Sequence, residues 1–322
     1  MNYNKKEFVK SMLGAAILVA LSSQSMAGTD FNANLELDTD ATDTAAADTT
    51  YDQNGRVEVN VLSRREKGEY FVQAKGTVLL TVDGTTSVDD AYVQFGSKTW
   101  DLQAGRFEAV NLFPKAKDTL IVHAGGVSVY EANMVRGRIG DGGGQFALHY
   151  NANDNVKFEL ATIFGDENAS GDDTTAVSGV RPSITWSTGG FSLFAGYEKV
   201  KYDLTAGGTQ DKSGFGIGTN FDLGAANINI AAARSKDENS DEKVTSYIAN
   251  MVYGNFGAGV IRSDVDQGSS TDPNVTTAYL AYSVPLLDIE GATVTFAGSF
   301  SSADNVTDDE TTALRVRLNY TF

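Results

Sequence analysis

Period-two alternation, repeated along almost the whole chain, limits what this sequence can fold into more than any other feature. Its clearest instance is the last nine residues: Leu314, Val316, Leu318, Tyr320 and Phe322 are apolar, while Arg315, Arg317, Asn319 and Thr321 fill the gaps. A repeat of two puts every second side chain on the same face of an extended strand, so the segment has one apolar and one wet face. Stretches of this kind fall at 29–37, 56–64, 69–82, 88–96, 99–106, 133–149, 156–165, 178–187, 191–202, 213–222, 226–235, 244–253, 256–263, 275–285, 292–301 and 312–322. Glycine is frequent (33), proline scarce (4), and Asn, Asp, Ser and Thr separate the stretches. An all-β chain is predicted.

The parity says which way such strands face. Val57, Val59 and Val61 oppose Arg56, Glu58 and Asn60, and Val180, Ile184 and Trp186 oppose Arg181, Ser183 and Thr185. One filled core cannot take the apolar faces of so many strands. A closed barrel with its apolar face toward lipid leaves no unpaired edge in the membrane. Its polar face then lines water, and sixteen strands leave room for an aqueous lumen.

The connections agree. Every second one is short: 65–68, 96–98, 152–155, 188–190, 223–225, 254–255 and 286–291. Those between are mostly longer and acidic: 38–53, 166–177, 236–243, 264–274 and 303–311, with a short exception around Gly84. Phe95, Trp100, Trp186, Phe191, Phe221, Tyr253, Phe256, Tyr320 and Phe322 cluster beside the short turns, as an interfacial girdle does. The expected fold is a transmembrane antiparallel β-barrel of about sixteen strands, of the bacterial outer-membrane kind.

Residues 1–27 read as a secretory signal. Lys5, Lys6 and Lys10 precede a ten-residue apolar run, Met12–Leu21, and Ser25 and Ala27 place small residues at a cleavage site. The barrel domain is then 28–322. The net charge of −17 argues against a nucleic-acid partner. With no cysteine and only two histidines, His123 and His149, no thiol chemistry, metal-ligand spacing or cofactor site is legible. No G-x-S-x-G is present, and Gly140–Gly144 reads as a bulge, so no enzyme activity is expected.

One connection breaks the pattern. Residues 107–132 form a loop of apolar content, with Val110, Leu112, Phe113, Leu120, Ile121 and Val122. Such a loop must pack on something, and the lumen wall is the available surface. An infolded third loop would narrow the pore at mid-height.

Here the sequence resembles the trimeric general porins of Gram-negative outer membranes. Gly105-Arg106 leads into the loop, Pro114 and His123-Ala-Gly-Gly126 lie within it, and Val135-Arg136-Gly137-Arg138 follows. The stretches Thr29–Asn34 and Gly105–Pro114 and the last strand are also similar to raffinose-type glycoporins. The resemblance implies a channel for passive diffusion of small hydrophilic solutes, with a lean toward sugars. It implies a homotrimer and recognition of the last strand by the barrel-assembly machinery. It also implies a constriction in which wall arginines face loop carboxylates. Arg106 and Arg138 match wall arginines, with Arg56 and Arg136 beside them; Asp118, then Glu108 and Glu131, stand nearest to the loop carboxylates. Parity adds Arg315 and Arg317 to the positive wall. Tyr92, Phe107, Phe113 and Tyr130 are candidates for stacking on sugar rings, the alternative being that Phe107 and Phe113 pin the loop to the wall. The acidic loops either concentrate cations, bridge divalent ions to lipopolysaccharide phosphates, or form a solvated surface. The competing reading is a plugged barrel with an adhesive or structural role in the envelope.

Overall fold

The computed structural model describes residues 28–117, 120–138, 143–165, 176–204, 208–268 and 271–322. The signal read at 1–27 lies outside these residues, as do Asp118, part of the Gly140–Gly144 run and most of the acidic stretch 166–177.

Sixteen strands close into one antiparallel barrel in which every strand pairs with its chain neighbours. They are β1 (Thr29–Thr44), β2 (Ala47–Lys67), β3 (Tyr70–Thr81), β4 (Thr86–Ser97), β5 (Trp100–Arg106), β6 (Gly143–Asn151), β7 (Val156–Gly165) and β8 (Ala176–Thr188), followed by β9 (Phe191–Asp203), β10 (Thr209–Asp222), β11 (Ala226–Asp237), β12 (Lys243–Tyr253), β13 (Phe256–Asp266), β14 (Asn274–Pro285), β15 (Ala292–Asp304) and β16 (Glu310–Thr321). The seam joins β1 to β16, from Asn34 opposite Thr321 to Thr44 opposite Thr311. It is completed by paired bonds between the Ala33 and Phe322 backbones at 2.8 and 2.9 Å. No helix is long and apolar enough to cross a membrane among the described residues.

The outer face is the apolar one. Leu314, Val316, Leu318, Tyr320 and Phe322 are exposed on it, as are Leu148, Leu160, Ile184, Leu193 and Leu280. Aromatic rings meet around the short-turn end: Tyr150 stacks on Phe158, Trp186 meets Phe191 edge-on, Phe191 meets Phe221, and Tyr320 stacks on Phe322. Rings at one level with apolar bodies and polar tips suit a headgroup region.

Two boundaries differ from the sequence reading. The expected loop 38–53 is a ladder: β1 and β2 continue through pairs such as Thr39–Gln53 and Ala41–Tyr51 to a two-residue turn. Beyond the lipid zone a strand has no reason to alternate in hydropathy, so its backbone pairs without leaving that signature. The strand expected from residue 133 begins at Gly143. Ala132 and Arg138 have φ of 53° and 58°, left-handed values that end an extended run. The connection from β5 to β6, the third on the long-loop side, therefore spans 107–142.

Candidate functional site: a loop-narrowed lumen

The loop folds inward and lines about half the wall. Leu112, Phe113, Val127, Tyr130 and Ala132 pack against Phe194, Ala231, Ala233, Val244, Ile248, Ile261, Val265 and Val275, all on the lumen side of β9–β14. Bare backbone makes room for them: a Cβ on Gly214 would stand 2.0 Å from the Tyr130 hydroxyl. Polar bonds fix the loop's height. The Ala124 N–H donates to Ser301 Oγ at 2.8 Å, the Tyr130 N–H to Ser246 Oγ at 2.9 Å, and Asn250 Nδ2 to the Pro114 carbonyl at 2.7 Å. His123 Nδ1 lies 2.7 Å from Thr277 Oγ1.

Arg181, fully buried on β8, ties the loop's two limbs together. It donates to the carbonyls of Val110 (2.8 Å) and Ala132 (3.2 Å). Two carboxylates balance it: Glu159 at 3.6 Å and Glu198 at 3.5 Å. They also hold loop N–H groups, Glu159 that of Val110 and Glu198 those of Met134 and Val135. A buried ion is tolerated when it is paired and hydrogen-bonded, and here the pairing runs through the loop backbone.

The sector left open faces β16, β1, β2, β3 and β4. Arg317 forks onto Asp38 (2.7 and 2.8 Å) and Arg315 onto Asp40 (2.8 and 2.7 Å), each pair directly opposite in the β1–β16 register. Arg317 and Arg56 both approach Glu36, at 3.6 and 3.5 Å, and Arg56 also reaches Glu58 at 3.3 Å. Nearer the loop mouth, Arg138 meets Asp89 at 3.0 Å, Asp90 at 3.3 Å and Glu108 at 3.5 Å. Lys75 reaches Asp90 at 2.7 Å, and Arg136 reaches Glu108 at 2.8 Å.

This corrects the expected arrangement of charge. Among the described residues, arginines on one wall are not set against carboxylates across the pore; both signs interleave on the same wall, with Glu108 of the loop among them. Glu36, Asp38 and Asp40 of β1 supply three of the seven carboxylates, and two of the guanidiniums, Arg136 and Arg138, come from the returning limb of the loop rather than from a strand. Arg106 faces backbone: it donates to the carbonyls of Val88, Asp89 and Arg138 and so closes the loop's base. Glu131 pairs with Lys115 inside the loop at 2.7 Å. Asp118 lies outside the described residues. At the loop's entry Gly105 has φ +122°, and a Cβ there would meet the Ala91 carbonyl oxygen at 2.3 Å, so the residue before Arg106 must be glycine.

The ring-stacking expectation is also corrected for three residues. Phe107 and Phe113 are 1% exposed and Tyr130 7%, so none has an open face. Phe107 sits against Ala109, Ala147 and Ala161; Phe113 and Tyr130 belong to the loop–wall core. They anchor the loop. Tyr92 is half-buried, with its ring edge-on to Phe107 at 6.0 Å. Asp38, Asp40, Lys75, Asp89, Asp90, Arg181 and Glu198 were missed. One signal for the first two was available: acids at lumen parity on β1 facing Arg315 and Arg317 across the seam. Among the described residues no group of three or more acidic or histidine side chains is arranged to hold a metal.

The family described as "Porin-like glycoporin RafY" matches residues 16–322. The chain belongs to this family. No curated protein matches it in sequence. Among solved structures, the glycoporin-family barrel is similar to the anion-selective porin from Comamonas acidovorans, at 12% identity and TM-score 0.68, covering 91% of this chain and 99% of that one. It is similar to Salmonella typhi OmpF in complex with daunomycin, at 12% identity and TM-score 0.67, covering 91% and 97%. It is also similar to Vibrio cholerae OmpT in its trimer form, at 13% identity and TM-score 0.64, covering 92% and 100%. Family and fold together make the chain a channel porin of the outer-membrane β-barrel type.

Proposed function

We propose that this porin passes small hydrophilic solutes by passive diffusion, with neutral sugars favoured. The observation that carries the reading is the open sector of the lumen, where guanidiniums and carboxylates interleave and satisfy one another. Such a wall orders water without presenting a large net charge. A hydroxyl-rich solute exchanges hydrogen bonds with Arg, Asp and Asn as it passes, whereas an apolar one must shed its hydration and break the order. Arginine keeps its charge at every relevant pH, so the wall is permanent. The RafY name of the family supports the lean toward carbohydrate.

The same reading places the short turns in the periplasm and the protruding strand ends outside the cell. It includes export by a cleaved signal at 1–27, recognition of β16 by the barrel-assembly machinery, and a homotrimer, as in the trimer form of OmpT. The acidic loops raise the local concentration of cations at the mouth. Planar-bilayer recording of purified protein tests the channel: stepwise open-channel conductance is expected, and a plugged adhesive barrel gives none. Liposome swelling tests the solute, with mono-, di- and trisaccharides expected to enter faster than size-matched amino acids. Equal rates would remove the sugar preference.

A further inference from the structure

On the short-turn side of the constriction a cavity of about 310 Å³ opens between the loop at Val110 and the wall of β4–β8. The strand register sets out its lining in two rows. Asp101, His149, Glu159 and Ser183 are successive cross-strand partners on β5, β6, β7 and β8. Asn151, Lys157 and Thr185 form the next row toward the short turns.

The first row is tied together by close polar contacts. His149 Nδ1 lies 2.6 Å from Asp101 and Nε2 lies 3.2 Å from Glu159, so both ring nitrogens face carboxylate oxygens. Gln94 donates to Asp101 at 2.7 Å, and Glu159 also takes the Val110 N–H at 3.1 Å. The second row is open. Asn151 donates Nδ2 to the Lys98 carbonyl and keeps its Oδ1, and the Lys157 and Thr185 side chains have no hydrogen-bond partner among the described residues.

We propose that this cavity is a binding subsite for a neutral sugar ring. The inference rests on the carbohydrate reading above and gives it a location. Three features support it. The carboxylates are already engaged by His149 and Arg181, so the one lining charge left without an ion pair among the described residues is the Lys157 ammonium, free to donate to ligand hydroxyls. Donors and acceptors of mixed type line the walls, as a polyhydroxyl ligand requires. Neighbouring strands stand about 4.8 Å apart, comparable to the spread of hydroxyls around a pyranose ring. The volume sits at the small end of ligand pockets, which run from about 300 to 1,000 Å³, and suits one or two rings. Solute leaving the constriction toward the short turns passes this wall, so the subsite gives it a stepping place below the narrowest point.

The test uses the full-length barrel in planar bilayers, with glucose, sucrose and raffinose as probes and an uncharged polyethylene glycol of matched size as control. Sugar binding is read from current noise in the open channel. In the wild type the sugars are expected to generate noise, with a faster on-rate when they are added at the short-turn side, and the glycol none. The double variant Lys157→Met with Thr185→Val removes two hydrogen-bonding groups that touch neither the loop nor the charged wall. It is expected to weaken sugar binding about tenfold, the effect of two lost bonds of about 0.7 kcal/mol each. Thr185→Phe, which fills the cavity, is expected to do the same. Undiminished sugar noise in both variants would overturn the subsite and leave the sugar channel standing. Absence of sugar noise in the wild-type channel would overturn both.

Discussion

Asp40 and Arg315 compensate one another through a two-bond fork, so neither presents its full charge to the lumen. Replacing one shifts the net charge beside the permeation path by one unit, even though Arg315 also has Asp38 at 3.4 Å. A unit charge about 8 Å from a passing ion in water changes its energy by about 0.5 kcal/mol, a factor of about two to three in permeability. Asp40→Asn is therefore expected to shift the reversal potential in a salt gradient toward anions by about that factor. Arg138→Ala, which leaves Asp89 without its cation while Asp90 keeps Lys75 and Glu108 keeps Arg136, is expected to shift it toward cations by a similar factor. If both variants keep the wild-type reversal potential, the charged wall does not face the conducting path. Arg106→Ala should act differently. Its contacts are the carbonyls of Val88, Asp89 and Arg138, so its loss loosens the base of the loop, and changed conductance is expected to exceed any change in ion preference.

At the scale of elements, the loop and its strands depend on one another through Arg181. Arg181→Met leaves Glu198 as a buried carboxylate without its cation, while Glu159 keeps His149 at 3.2 Å. Breaking a buried pair in this way costs about 3–5 kcal/mol. The expected result is a barrel that still forms but whose loop is cut by protease near Val110 and Ala132, with noisier single-channel current. Adding Glu198→Gln should restore part of the protection. Sequence patterning made all sixteen strands and the inward loop legible, because lipid outside and water inside impose the alternation. It did not show where the loop docks. The lumen face was read as polar throughout, yet Val244, Ile248, Ile261, Val265 and Val275 stand on it. Apolar residues at both parities of β12–β14 mark the docking strip; single-face parity overlooks them. The candidate site was legible as residue types but not as partners, since Arg317 and Asp38 are 279 positions apart and meet only through closure of the seam.

Across the whole molecule, the charge balance of the lumen contrasts with a net charge of −17. The surplus acid belongs mainly to the rims and connections, where salt screens it. The screening length is about 3 Å at 1 M salt and about 30 Å at 0.01 M. The ratio of cation to anion permeability is therefore expected to lie near one in 1 M KCl and to rise as salt is lowered toward 0.01 M. A ratio that does not move with salt would place the selecting charge deep in the lumen instead. The apolar outer face suits a lipid-embedded protein and subunit packing; light scattering of detergent-solubilised protein is expected to give three times the chain mass.

The position of the inward loop also bears on the order of assembly. Its anchors on the far wall, Ser246, Asn250, Thr277 and Ser301, all come later in the chain than the loop, by as many as 177 positions. A closed cylinder offers such a segment no way in from the side. The bonds to these anchors cannot form before β12, β14 and β15 are in place, so the narrowing of the lumen is completed late, after the wall that receives the loop.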